Sequence, residues 1–87
     1  MENIVKISPI KQIRIEWGLT QTDLAEGLQY LCRGKLTKRQ ITRWENGRNK
    51  PNFDIIVKLA EMANKQPFEL EKELESFIEF KKQKQVA

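Results

Sequence analysis

Residues 37–46, TKRQITRWEN, hold Lys38, Arg39 and Arg43 against a single acid, Glu45. Ammonium and guanidinium groups at this density either pair with carboxylates or bind an external anion. Their spacing favours the anion. At about 100° per residue on a helix, Thr37, Ile41 and Trp44 share one side. Lys38, Arg39, Thr42, Arg43 and Asn46 share the other, and Gln40 and Glu45 lie at the borders. Arg39 and Arg43 are four apart and repel one another. A merely solvated face would mix signs, whereas an anionic surface relieves the repulsion. The DNA major groove admits one such helix. Guanine presents two acceptors there that suit a lysine or the fork of an arginine. Thr42 can offer thymine a methyl, or a base or phosphate a hydroxyl. Lys38, Arg39, Thr42 and Arg43 are therefore the expected base contacts.

The charge balance points the same way. Residues 33–50 carry seven Lys/Arg and only Glu45, a net +6, while the flanks 1–32 and 51–87 are each −1. The middle segment thus supplies more than the whole net charge of +4. Such asymmetry is the footprint of a nucleic-acid contact. Eighty-seven residues suffice for one domain over 1–87, with its core at about 8–70. One cysteine and no histidine exclude a disulfide framework and an ordinary zinc site. The carboxylates after Glu69 read as solvated helix partners, and no phosphate-cradling glycine motif occurs. No enzyme, cofactor, metal or small-molecule ligand is expected. Apolar runs fall far short of the ~20 residues of a spanning helix, so a cytoplasmic, nucleoid-associated protein without a membrane partner is expected.

Helices must position these cations, since alternating strand patterns are absent. Ser8-Pro9 reads as a cap with proline at the first helical position, and Gly18 as its stop. Thr20 with Asp23, and Thr37 with Gln40, read as two capping boxes. Leu19–Leu24 and Leu36–Ile41 are the matching hydrophobic staples. Gly34 closes the second helix and Asn46-Gly47 the third. A fourth helix follows Pro51-Asn52, with Phe53, Ile56, Leu59, Ala60 and Ala63 inward, ending at Asn64. A fifth runs from Gln66-Pro67 to about Lys82, leaving KKQKQVA as a frayed tail. Trp17 and Trp44 occupy apolar-side positions and are expected in the core, with Cys32 as a small buried residue. Gln21, at a helix N-terminus, is a candidate phosphate contact. Arg48, Asn49 and Lys50 form a loop suited to phosphates.

The stretch RIEWGLTQTDLA (14–25), then ITRWENG (41–47) followed by Lys50-Pro51, resembles the phage-repressor (Cro/CI-type, XRE-like) helix-turn-helix family. Lys58-Leu59-Ala60 and PFEL (67–70) extend the resemblance over about residues 10–70. The resemblance implies a compact all-α, five-helix, lambda-repressor-like domain whose helix 37–46 enters the major groove. It places Lys38, Arg39 and Arg43 at base-contacting positions, and Gln21, Asn46 and Arg48 at phosphate-contacting ones. It also implies that Arg14 and Glu45 pair to brace the first helix against the third; the alternative is a phosphate-facing Arg14.

One departure is visible. About six extra residues fall within LQYLCRGK (28–35), which an extended second helix and a longer turn would absorb. Arg33 and Lys35 then sit at the rim of the basic surface, within reach of a phosphate. The fifth helix carries Leu70, Leu74, Phe77 and Ile78, more apolar surface than a small core needs, so it is expected either to cap the core or to make a homodimer contact. The function implied is a sequence-specific double-stranded DNA-binding regulator, most simply a repressor. The alternative is an antitoxin- or antirepressor-type interaction module using the fifth helix.

Overall fold

The computed structural model describes residues 7–32 and 34–85, with side chains through Gln83. It contains α1 (Pro9–Glu16), α2 (Gln21–Leu28), α3 (Lys38–Glu45), α4 (Phe53–Ala63) and α5 (Pro67–Gln85), with a 3-10 turn at Gln29–Leu31. No strand occurs among the described residues. No helix among them is long and apolar enough to cross a membrane.

At the starts of α1 to α4, side chains bond to the backbone N–H groups that the helix leaves free. Ser8 Oγ accepts the Ile10 N–H at 3.2 Å. Thr20 Oγ1 accepts from the Asp23 N–H, and Asp23 Oδ2 from the Thr20 N–H, both at 3.0 Å. The Thr20 backbone donor, and then its hydroxyl, hold the Asp23 carboxyl below its ordinary range. This box is therefore fully formed above the ordinary aspartate range and is lost as pH falls through the lowered value. At α3 the Thr37 N–H donates to Gln40 Oε1 at 2.9 Å. Asn52 Oδ1 accepts from the Ile55 N–H at 3.0 Å to open α4. Replacing this cap, Asn52→Ala, should lower the unfolding free energy by about 1 kcal/mol. Urea unfolding should show it as a lower midpoint at unchanged slope.

The ends of α1 and α3 are built alike. Gly18 and Gly47 take left-handed φ values of 69° and 74°, which glycine adopts without a Cβ penalty. The Leu19 N–H then reaches the Arg14 carbonyl at 2.9 Å, and the Arg48 N–H reaches that of Arg43 at 3.0 Å. These bonds satisfy carbonyls left free at the helix end. At α3 the closure also returns Arg48 to the vicinity of Arg43.

Every helix contributes to one core. It contains Ile10 and Ile13, Leu24 and Leu28, Ile41 and Trp44, Ile55, Ile56 and Leu59, and Leu70 and Leu74. α4 packs on α5, α2 on α3, and α1 lies against α3, α4 and α5.

Several expectations are corrected. The α-geometry of the second helix stops at Leu28 and tightens into the 3-10 turn. Gln29 explains the stop. Its Nε2 donates to the Gly34 carbonyl, and its Oε1 accepts the Leu36 N–H, both at 2.7 Å. One side chain thus ties the 3-10 turn to Gly34 and Leu36. Leu31 and Cys32 remain half-buried against the core.

Trp17 is 54% exposed. It caps α1 at the rim, and its indole N–H donates to the Met62 carbonyl at 2.9 Å. An amphipathic ring with a polar handle fits that rim better than the interior. Phe53 is also exposed, at the first position of α4, where its ring meets Phe68 at 5.5 Å. Ile55 takes the inward place instead. Leu70, Leu74 and Phe77 are at most 2% exposed. α5 folds back on α1 and α4, so these side chains pack in their own core and are not available to a second copy. Ile78 is half-buried. α5 continues to Gln85, so the first residues of the expected frayed tail are helical.

Candidate nucleic-acid interface

The orientation of α3 follows from its packed side. Ile41 is fully buried and Trp44 is 7% exposed. Both point into the core shared with α1 and α2, which turns Lys38, Arg39 and Arg43 outward, and all three are exposed. Among the described residues no carboxylate pairs with them.

The helix is locked by Glu45, a buried carboxylate. Arg14 Nε donates to its Oε2 at 2.7 Å and Arg14 Nη2 to its Oε1 at 3.2 Å. Arg14 Nη1 donates to the Leu19 carbonyl at 2.9 Å, tying the start of α2 into the same group. The hydrogen bond to Glu45 holds the guanidinium above its ordinary pKa range, outweighing the opposing effect of burial. Arg14 therefore braces α1 against α3, with all three of its nitrogens engaged within the protein.

Gln21 extends this network across the turn. Its Nε2 donates to Glu45 Oε1 at 3.0 Å, and its Oε1 accepts the Thr42 hydroxyl at 3.0 Å. The Thr42 hydroxyl also lies 3.0 Å from the Lys38 carbonyl. Its single proton is shared between two acceptors, so the hydroxyl is already engaged within the protein. The role of Gln21 as a bridge between α2 and α3 was not legible from its position at a helix start. The only signal lay in Glu45: a buried carboxylate has about four acceptor sites, so Oε1 takes the Gln21 amide as well as Arg14 Nη2.

The loop after α3 divides its residues. Asn46 caps α3 and is exposed, as is Arg48. Arg39, Arg43 and Arg48 wall a shallow cleft of about 240 Å³. Lys50 points elsewhere. Its Nζ lies 2.5 Å from Glu75 Oε2 and 3.2 Å from Glu71 Oε2, both on α5. Those bonds, Glu75 first, hold its pKa above the usual lysine range. The expectation of a phosphate-directed Lys50 is thus corrected, because α5 supplies carboxylates that loop composition alone does not reveal. Lys35 is exposed in the segment before α3, and Arg33 lies outside the described residues.

Chemically, this surface is a row of exposed cations on a helix whose opposite side is fixed in the core. Its sign suits an anionic partner. Residues 10–70 match the helix-turn-helix family, a span from α1 into the first turn of α5. No curated protein and no solved structure matches the chain significantly. The family match covers well over half of the chain, which therefore belongs to the helix-turn-helix DNA-binding family of the phage-repressor (Cro/CI-type, XRE-like) kind.

Proposed function

We propose that this chain is a sequence-specific transcriptional repressor that inserts α3 into the major groove of double-stranded DNA at the nucleoid. The observation that carries this reading is the exposed, unpaired row of Lys38, Arg39 and Arg43 on a helix whose other side is buried. These three side chains read base edges. With its hydroxyl engaged, Thr42 offers thymine its methyl group. Arg48, Asn46 and Lys35 contact phosphates. Gln21 contributes the second N–H of its amide, the first being held by Glu45. Repression needs only that the site be occupied. Two copies on half-sites ~34 Å apart are part of the reading. Their contact uses surface other than Leu70, Leu74 and Phe77.

Titration into a labelled random-sequence duplex tests it. Binding should weaken steeply with salt, with a log–log slope near −5 for about six neutralised phosphates. Absence of duplex binding up to micromolar protein at low salt would overturn it. A stoichiometric protein partner recovered from extract in that case would point to an interaction module instead.

A further inference from the structure

Arg48 borders a second cleft. About 180 Å³ of space is bounded by Gly47, Arg48, Lys81 and Lys82. Arg48 thus stands between this cleft and the one walled by Arg39 and Arg43. The end of α5 is seated firmly there. A Cβ added to Gly47 would lie 2.7 Å from Lys81 Cγ and 3.3 Å from Phe77 Cε2. Phe77 is buried, and Lys81 Nζ sits 5.9 Å from its ring centroid.

The charge of α5 changes along its length. Glu69, Glu71, Glu73, Glu75 and Glu79 precede Lys81, Lys82 and Lys84, and no acid follows Glu79. Glu71 and Glu75 hold Lys50, and Glu73 holds Lys65. Among the described residues no carboxylate pairs with Arg48, Lys81 or Lys82. Lysines near a helix C-terminus are favoured by the helix dipole alone. The dipole does not account for their convergence on Arg48. Three cations around one cleft repel, and an anion among them removes that cost.

We propose that Arg48, Lys81 and Lys82 form a second phosphate-binding site, carried by α5, that lengthens the DNA contact beyond the helix-turn-helix. It rests on the reading of α3 as the groove-entering helix. A nucleic-acid backbone crossing the cleft of Arg39, Arg43 and Arg48 meets Lys81 and Lys82 next. The two lysines would act as point charges on phosphate oxygens and carry no sequence information.

The test compares the full chain with Lys81→Gln/Lys82→Gln on a random-sequence duplex of about 25 base pairs, across a salt series. Two lost phosphate contacts should flatten the log–log slope by about 1.8 and weaken binding near 0.1 M salt by an order of magnitude or more. Lys82→Gln alone, at an exposed position that cannot disturb packing, should flatten it by about 0.9. Lys72→Gln removes the same charge from α5 away from both clefts and should leave the slope unchanged. The α5 site is overturned if the double variant keeps the parent slope and affinity, or if Lys72→Gln matches it. If the parent chain binds no duplex at all, the reading of α3 fails as well, which separates the two failures.

Discussion

Glu45→Ala lowers the unfolding free energy by about 3–5 kcal/mol, the expected cost of stranding a buried charge. The Arg14 and Glu45 side chains are only 14% and 5% exposed, so the guanidinium left behind is poorly solvated. Gln21 Nε2 loses its acceptor in the same step. Urea unfolding measures the loss directly. A second substitution isolates its cause. Adding Arg14→Leu to the Glu45→Ala chain removes the stranded guanidinium and should recover part of the stability. A double variant as unstable as the sum of the two single ones would show that the pair does not act as a unit.

On α3 itself, the two sides separate stability from binding. Ile41→Ala should cost about 2–5 kcal/mol, because the side chain is fully buried among three helices and leaves a cavity. Arg39→Ala/Arg43→Ala should change stability by no more than about 0.5 kcal/mol, since these residues are exposed and repel one another. The same double variant should lose about 1–3 kcal/mol of affinity per base contact at a selected site. Thermal melts and binding titrations on both proteins check the contrast. An Arg39→Ala/Arg43→Ala chain that melts early and binds normally would invert the assignment of the two sides.

What was legible in the sequence shares a physical character. The helix starts at Ser8-Pro9, Thr20–Asp23, Thr37–Gln40 and Asn52, and the stops at Gly18 and Gly47, involve residues at most five apart in sequence. Such bonds depend on local backbone geometry, so composition and spacing reveal them. The outward set of α3 was legible for the same reason: Ile41 and Trp44 fix its phase. Lys50, Gln29 and the apolar stripe of α5 are different. Lys50 looked free because the carboxylates that hold it, Glu71 and Glu75, arrive only when α5 folds back. Periodicity showed that Leu70, Leu74 and Phe77 share a side but not what covers it, and the cover proved to be the chain itself. The six-residue departure of LQYLCRGK suggested a longer helix. Instead the helix tightens into a 3-10 turn at Gln29–Leu31, and the Gln29 side chain makes two bonds, to Gly34 and Leu36, that no pattern announces. Arg14–Glu45 lies between these cases: its residues are 31 apart, and the family resemblance rather than spacing pointed to it.

Base reading by α3 is tested most directly by selecting duplexes from a randomised pool with the parent chain and with Arg43→Ala in parallel. The parent chain should enrich a defined site. Arg43→Ala should lose preference at one base position within it and bind the parent site about 1–3 kcal/mol more weakly, with a much smaller change on random duplex. Identical enriched sites, with unchanged affinity for both the selected and the random duplex, would contradict the placement of this helix in the major groove.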